Sequence, residues 1–319
     1  MDRGEDGSGL NVVENDLRDC IVLVKSPSGA VVSGRTSGSE VECKGWCMLQ
    51  RTMVRVFGRV FMPLLLIGWN SLQGAEPGYR TVDVRNGGLV RGTVRLSGSA
   101  SDFTVPTGKD DKICGPTVLL SKLTTGRNGG VKNAIVYIEQ IGEGKSFAPG
   151  KKYLLDQKEC KYTPHVSVLP YGAPLEIVNS DPVLHNVHLS ELGAGRASVV
   201  NIAQPIKGQR TVIQASRIRR PGFLVATCDA GHPWMSAYIM VAEHPYYTVT
   251  DSDGNYFISD IPPGEYRLVM WHEGVRVTRI DSSKGKAVRY EYEEPYVTES
   301  HISVEKGKTS RADFQLQLR

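Results

Sequence analysis

The sequence predicts an all-β protein built from two β-sandwich domains. Apolar and polar residues alternate over short segments, as they do in half-buried strands, and residues 88–96 and 312–318 show this most clearly. Turn signals separate the segments, for example Asn-Gly-Gly at residues 128–130 and Pro-Tyr-Gly at 170–172. The 34 glycines and 17 prolines also favour turns over long helices. Short strands at this spacing are typical of a sandwich or a barrel.

Each predicted domain contains several such strands. The first domain is expected to span residues 80–245 and the second to span residues 246–319. The strands predicted in the first domain are 88–96, 134–138, 166–169, 174–178, 223–227 and 237–241. The strands predicted in the second domain are 247–250, 255–259, 265–271, 287–291, 302–304 and 312–318.

The first 75 residues are predicted to lie outside the mature fold. Residues 1–47 show no sustained periodicity, so we predict that they are disordered or precede the true start. Residues 48–75 have the layout of a secretory signal peptide, with arginines before the apolar run at 60–69 and a small residue, Ala75, at the cleavage point. The run is shorter than the ~20 residues of a membrane span. We therefore expect export to the periplasm or the extracellular space, while Gln73 at the −3 position leaves an uncleaved anchor open.

The charge balance argues against a nucleic-acid partner. The chain has 38 Lys and Arg against 34 Asp and Glu, a formal net charge of +4. This excess is small for 319 residues, and the basic residues are scattered rather than clustered. No apolar run approaches the ~20 residues of a membrane helix, which excludes a multi-span membrane protein.

Three cysteines follow the predicted cleavage point, namely Cys114, Cys160 and Cys228. In an oxidising compartment an odd number of cysteines indicates one disulfide and one thiol with another role. We pair Cys114 with Cys160 because Cys228 stands in a segment that has metal-binding chemistry.

That segment is Cys228-Asp-Ala-Gly-His232-Pro-Trp-Met235, which places a thiol, an imidazole and a thioether within eight residues. A loop between two strands can bring all three to one centre, and we expect His185 to lie on a further strand. Two histidines and one cysteine with a weak axial methionine form the type 1 copper arrangement. Thiolate and thioether favour Cu(I), whereas imidazole binds both oxidation states. The sequence therefore predicts one mononuclear copper site.

The His-Asn-Val segment at 185–187, followed by the Cys/His/Met loop, resembles the cupredoxins, such as plastocyanin and amicyanin. The resemblance covers roughly residues 88–243 and implies a Greek-key β-sandwich that binds copper through those four side chains. The amicyanin-like loop has two residues between Cys and His, whereas this loop has three, which leaves the colour and potential of the site open. The spacing also resembles half of a binuclear copper loop. That centre needs another cysteine four residues before Cys228, where this chain has Leu224.

Residues 246–318 resemble the carboxypeptidase-regulatory-like and rhamnogalacturonan-lyase middle domains. The segments that carry this resemblance are Val-Thr-Asp-Ser-Asp-Gly-Asn-Tyr-Phe-Ile at 249–258 and Ile-Pro-Pro-Gly-Glu-Tyr-Arg-Leu at 261–268. The resemblance implies a carbohydrate-binding-like fold, with a spacer or docking role as the other interpretation. The aromatic residues that could stack on a sugar are Tyr246, Tyr247, Trp271, Tyr290, Tyr292 and Tyr296.

Two further histidines and one simpler interpretation stay open. His188 is three residues from His185, so in a regular strand it faces the opposite side. His188 is kept as a candidate to replace one of the ligands, and His165 is kept as a residue that contacts the ligands without binding the metal. In the simpler interpretation there is no metal site: Cys228 is an inert core residue and Met235 only packs. If there is a metal site, zinc is the other metal that the cysteine and histidines could bind.

These observations predict an exported copper protein that transfers electrons to or from a redox partner protein. We expect no enzymatic activity, because four protein ligands leave no open position for a substrate. The alternatives are a carbohydrate-binding or cell-surface scaffold protein acting through the C-terminal sandwich, and a copper storage or delivery protein.

Overall fold

The computed structural model describes residues 11–14, 20–25, 31–34, 78–99, 102–193 and 195–319. The chain divides into two compact units, Met1–Asn70 and Ser71–Arg319. Nearly all regular structure in the described residues is strand, which confirms the predicted all-β class. None of the helices among these residues has the length and apolar character needed to cross a membrane.

The first unit contains a three-stranded antiparallel sheet, in the order β1-β2-β3. Its strands are β1 (Asn11–Glu14), β2 (Cys20–Lys25) and β3 (Val31–Gly34). The prediction that residues 1–47 are disordered does not describe these strands, whereas the alternative that they precede the true start stays a prediction. Their short runs of valine and isoleucine favour the extended backbone, although each run is too brief to show a period. The predicted signal peptide, residues 48–75, lies outside the described residues.

The described residues of the second unit form the remaining strands and four short helical segments. The strands are β4 (Arg80–Thr81), β5 (Gly88–Ser97), β6 (Phe103–Pro106), β7 (Thr117–Leu120), β8 (Ile135–Ile138), β9 (Glu143–Gly144), β10 (Leu154–Lys158), β11 (Lys161–Thr163), β12 (Val166–Pro170), β13 (Leu175–Asn179), β14 (His185–Glu191), β15 (Ser198–Gln204), β16 (Arg210–Ile213), β17 (Gly222–Thr227), β18 (Ser236–Ala242), β19 (Tyr247–Val249), β20 (Asn255–Ile261), β21 (Gly264–His272), β22 (Val277–Ser283), β23 (Lys286–Tyr292), β24 (Tyr296–Val304), β25 (Thr309–Arg311) and β26 (Phe314–Gln317). The helical segments are the α-helix α1 (Asp111–Cys114) and the 3-10 turns Gly108–Asp110, Arg127–Gly129 and Ala215–Arg217. Every predicted strand overlaps an observed one.

Two of the sheets form a sandwich that we call the first sandwich. One sheet has the order β11-β10-β13-β16, and the other has the order β12-β18-β17-β14-β15. Parallel pairs, β10 with β13 and β12 with β18, occur beside antiparallel pairs, so the chain crosses between the sheets rather than forming a simple meander. Leu155, Ile177, Leu189 and Ile239 pack into the shared core, each at most 1% exposed.

A second sandwich pairs the sheet β19-β8-β21-β24 with the sheet β20-β5-β25, which β26 extends along β5. Its core includes Val90, Val136, Leu268 and Leu316. Two of its strands, β5 and β8, come from the part of the chain that was assigned to the first domain. The predicted boundary at residue 245 therefore does not divide the two sandwiches.

The physical reason lies in strand pairing over long sequence distances. Residues 246–319 supply too few strands for two sheets, because β22 and β23 pair only with each other among the described strands. The centre of one sheet is completed by β5, where Val90 lies opposite Ile258, and β8 completes the other sheet between β19 and β21. Alternation in the sequence showed that residues 88–96 form a strand, but it carries no information on the partner strand.

The two sandwiches share an apolar contact around Trp271, which is 3% exposed. Its ring stacks on Phe223 of β17 at 4.5 Å between centroids and lies 5.6 Å from Tyr238 of β18. Trp271 is the second-last residue of β21, an inner strand of the second sandwich. The contact therefore joins that strand to the sheet that carries the site described below.

Replacing Trp271 by alanine is expected to lower the free energy of unfolding by about 3–5 kcal/mol, because it removes a large buried ring from a packed core. Urea denaturation followed by circular dichroism measures this change. Val297→Ala is the matched control, because Val297 pairs opposite Trp271 in β24 and is 55% exposed. A loss below 1 kcal/mol for Trp271→Ala, equal to the control, would contradict the shared contact.

Candidate metal centre

Strand pairing brings the predicted ligands to one end of the first sandwich. His185 begins β14, and Cys228 directly follows the end of β17. These strands are antiparallel neighbours in which His188 lies opposite Thr227, so the start of one meets the end of the other. The loop from residue 228 to 235 then returns to β18 and contains His232.

The donor atoms of three predicted ligands converge. Nδ1 of His185 lies 3.2 Å from Nδ1 of His232, and Sγ of Cys228 lies 3.7 Å from the same His232 nitrogen. All three donor atoms lie within 4.8 Å of one another. Two imidazole nitrogens bound to one ion at about 2.0 Å are roughly 3.3 Å apart in a tetrahedral arrangement, so the observed spacing fits a single metal ion.

The whole donor set is removed from solvent. His185 and His232 are 0% exposed and Cys228 is 3% exposed. Met235 is 2% exposed in the same core cluster as Cys228, and its backbone N–H donates to the carbonyl oxygen of His232 at 3.0 Å. The turn thus holds the backbone of Met235 against that of His232, and the role of Met235 as axial ligand stays a prediction.

The extra residue of the Cys-to-His loop is accommodated by backbone conformation. Gly231, directly before His232, has φ +93°, a left-handed conformation that glycine adopts without steric cost. The three-residue spacing is therefore compatible with the approach of His232 to Cys228.

Carboxylates orient both imidazole rings. Nε2–H of His185 donates to Oδ2 of Asp181 at 2.8 Å, and Nε2–H of His232 donates to Oδ2 of Asp110 at 3.0 Å. A proton on each Nε2 leaves each Nδ1 lone pair free to face the centre. Metal-binding histidines are commonly held in this way.

Backbone donors hold Asp181 in place. Its Oδ1 accepts the N–H of Glu159 at 2.9 Å, and its Oδ2 accepts the N–H of Cys160 at 2.8 Å. Its own N–H donates to Oδ1 of Asn179 at 2.9 Å. Asp181 is therefore held in place by these backbone contacts, independently of its hydrogen bond with His185.

Burial raises the pKa of the Cys228 thiol, while backbone N–H groups, including those of Ala230 and Asn186, act to lower it. A bound cation favours the thiolate in such a place. Asn186 also fixes the start of the loop, because its Oδ1 accepts the N–H of Asp229 at 3.1 Å. Tyr162 closes this region by donating its hydroxyl to the carbonyl oxygens of Asn186 and Thr227.

The predicted disulfide between Cys114 and Cys160 is present. Among the described residues that follow residue 77, Cys228 is the free cysteine, and it is buried. The division of the three cysteines into one disulfide and one thiol is therefore confirmed.

The other two candidate histidines lie outside the donor set. Nδ1 of His188 faces Oδ2 of Asp229 at 2.8 Å, on the opposite side of β14 from His185, as the strand period predicts. His165 instead contacts Glu273 through Nε2 and the carbonyl oxygen of Ser236 through Nδ1. It belongs to a buried ion cluster with Lys122, whose Nζ lies 3.1 Å from Oε2 of Glu273.

Sequence reasoning missed the two carboxylates that hold the ligand rings. Asp181 lies four residues before His185, which was a usable signal because an acidic side chain near a metal-binding histidine often accepts its second ring proton. Asp110 lies far from His232 along the chain and in a segment without periodicity, so no sequence signal indicated it.

Comparison with known proteins gives a family match in the C-terminal region. The family model of the carboxypeptidase regulatory-like domain matches residues 222–317. This match confirms the resemblance predicted for the C-terminal region, and it begins earlier, at β17. No curated protein matches the chain.

Several solved structures show a partial likeness. An amicyanin from Paracoccus versutus (Thiobacillus versutus) is 18% identical over 34% of this chain and 97% of that chain, with a TM-score of 0.25. A purple cupredoxin from Nitrosopumilus maritimus is 18% identical over 28% of this chain and 100% of that chain, with a TM-score of 0.23. A copper-containing nitrite reductase from Thermus scotoductus SA-01 is 22% identical over 33% of this chain, with a TM-score of 0.24, and this chain spans 25% of it.

Proposed function

We propose that the protein binds one copper ion through His185, Cys228 and His232, with Met235 as the axial ligand, and that this type 1 centre transfers electrons. The observation that supports this proposal most strongly is that two imidazole nitrogens and one thiol sulfur, all buried, lie within 4.8 Å of one another. Two imidazoles and one thiolate are the in-plane donors of such a centre.

The surroundings of the donors support a redox role. A site that transfers electrons rapidly holds its ligands in nearly the same positions in both oxidation states, and here strands and hydrogen bonds fix both rings. Copper supplies the change of oxidation state when it is bound. The protein groups orient the rings, favour the thiolate and exclude water.

Burial of the donors also supports electron transfer over catalysis. Asp181 and Asp110 hold the outer nitrogens of the two histidines, and we propose that Met235, buried in the same core, fills the remaining position. A catalytic metal keeps a position open for water or substrate. We therefore propose a redox partner protein rather than a small-molecule substrate, and a periplasmic or extracellular location, which the disulfide supports.

The carbohydrate-binding alternative loses part of its support. Three of the six aromatic residues proposed to stack on sugar lie in hydrophobic cores, namely Tyr246, Trp271 and Tyr296, which are 0%, 3% and 5% exposed. Buried rings cannot stack on a sugar without local unfolding.

Electrochemistry of the copper-loaded full-length chain tests the proposal. We expect one copper per chain and a reversible one-electron couple that survives repeated cycles. His185→Ala is expected to abolish the couple, whereas His188→Ala, on the same strand but outside the donor set, is expected to keep it. Copper that a chelator removes within seconds and that gives no reversible couple would contradict electron transfer and favour storage or delivery.

A further inference from the structure

The Cys114–Cys160 disulfide connects the two segments that hold the ligand rings. At one end, Cys114 closes the short helix α1, which directly follows Asp110, the partner of His232. At the other end, the N–H of Cys160 donates at 2.8 Å to the same oxygen of Asp181 that accepts from His185. One covalent bond therefore ties together the carboxylate partners of both histidines.

The disulfide also lies close to the ligand loop. The sulfur atoms of Cys114 and Cys160 and a ring nitrogen of His232 lie within 4.8 Å of one another. The carbonyl oxygen of Cys160 accepts the indole N–H of Trp234 at 3.0 Å, and the Trp234 ring lies 5.3 Å from the His232 ring between centroids. Through the Trp234 ring, Cys160 thus makes a further, indirect contact with His232.

The strands on either side of Asp110 are anchored in the first sandwich, because Val105 of β6 and Val118 and Leu120 of β7 are buried in its core. The helix α1 has four residues and buries none of them. The flanking strands β6 and β7 pair only with each other among the described strands. Short helices without buried side chains are not stable alone. The disulfide ties the end of this short helix covalently to Cys160 in the sandwich.

We infer that the Cys114–Cys160 disulfide and Asp110 position the metal ligand His232, keeping its Nδ1 directed at His185 and Cys228 and keeping the ring covered. This inference rests on the proposed copper site. Full metal affinity then requires oxidation of the two thiols by a thiol–disulfide oxidant. The new S–S bond forms as the oxidant's disulfide is reduced to two thiols, which take up the two electrons and two protons.

Three variants of the full-length chain test this positioning role. Cys114→Ala with Cys160→Ala removes the bond, and Asp110→Ala removes only the partner of His232. Asp111→Ala is the matched control, because Asp111 is the next residue, is exposed, and its side chain makes no hydrogen bond to the other described residues. If the double variant does not fold, Asp110→Ala still shows whether the partner of His232 positions its ring.

The first measurement uses metal-free protein and nuclear magnetic resonance of the His232 ring. We expect a slowly exchanging Nε2–H signal in the wild type and in Asp111→Ala, and fast exchange in the other two variants. The second measurement is Cu(I) affinity by competition with a chelator. We expect roughly a 10–100-fold loss in those two variants, the size found when the partner of a metal-binding histidine is removed.

Wild-type ring signals in the variants, together with affinities within twofold of the wild type, would overturn the positioning role. A wild-type chain that binds no copper would refute the proposed function instead. The ring measurement on metal-free protein would then still decide whether the disulfide and Asp110 fix His232, so the two failures are distinguishable.

Discussion

Replacing Cys228 by alanine is expected to abolish the intense visible absorption of the copper-loaded protein and to weaken copper binding by more than about 100-fold. Removing a residue that only hydrogen-bonds to a ligand already costs roughly 10–100-fold, and Cys228 contributes the thiolate itself. The band arises from charge transfer between that thiolate and Cu(II), and Cys228 is the free cysteine among the described residues from 78 onward. Absorption spectra and copper titrations of both proteins measure the effect.

The control for this substitution is Val225→Ala. Val225 lies three residues earlier, in β17, and is 8% exposed. Its truncation lowers stability without removing a donor, so the absorption band is expected to persist. A Cys228→Ala protein that keeps the band, or that keeps wild-type copper affinity, would show that the proposed ligand set is wrong.

The second large effect is expected at the buried ion cluster between the sandwiches. The side chains of Glu273 and Lys122 are 1% and 5% exposed, and their charged atoms lie 3.1 Å apart. Burial alone would raise the pKa of Glu273, but His165 and Lys122 act against it and bring that pKa down to about 2. Glu273→Ala leaves the Lys122 charge buried without its partner, which is expected to cost about 3–5 kcal/mol of unfolding free energy at pH 7.

The same pKa fixes the direction of the pH dependence. The pKa of Glu273 is lower in the folded protein than its ordinary value of 4.5. Its contribution to stability is therefore fully present above pH 4.5 and is lost as the pH falls toward 2. Denaturation measured between pH 7 and pH 2 is expected to show a smaller acid-induced loss of stability in Glu273→Ala than in the wild type.

Two comparisons make this prediction specific. Glu305→Ala removes an exposed ion pair with Lys308 and is expected to cost at most about 1 kcal/mol. Lys122→Met combined with Glu273→Leu removes both charges and is expected to be less destabilising than Glu273→Ala alone. Equal losses in Glu273→Ala and Glu305→Ala would contradict the role of the buried pair.

Local patterns in the sequence predicted the strands but not how they pair. Residues 88–96 alternate clearly and form β5, yet β5 belongs to the second sandwich because it pairs with β20, β25 and β26. Alternation depends on burial of one face, and either sandwich could provide that face. The assignment of residues 80–245 to one domain failed for this reason.

The ligand candidates were predictable because three of them lie within one short loop. Cys228, His232 and Met235 carry distinctive chemistry at close spacing, and His185 followed from the resemblance to the cupredoxins. The groups around them were not predictable in the same way. Asp110 and Glu273 are ordinary acidic residues in the sequence, and only long-range folding places them against His232 and Lys122.

X-ray absorption spectroscopy of the copper-loaded full-length chain tests the central claim most directly, since it reports the atoms bound to the metal. We expect one short sulfur contact, at about 2.3 Å or less, together with two imidazole nitrogens at about 2.0 Å. That result would place the Cys228 thiolate and two histidines on a single copper ion. A shell of only nitrogen and oxygen atoms would contradict the proposed centre.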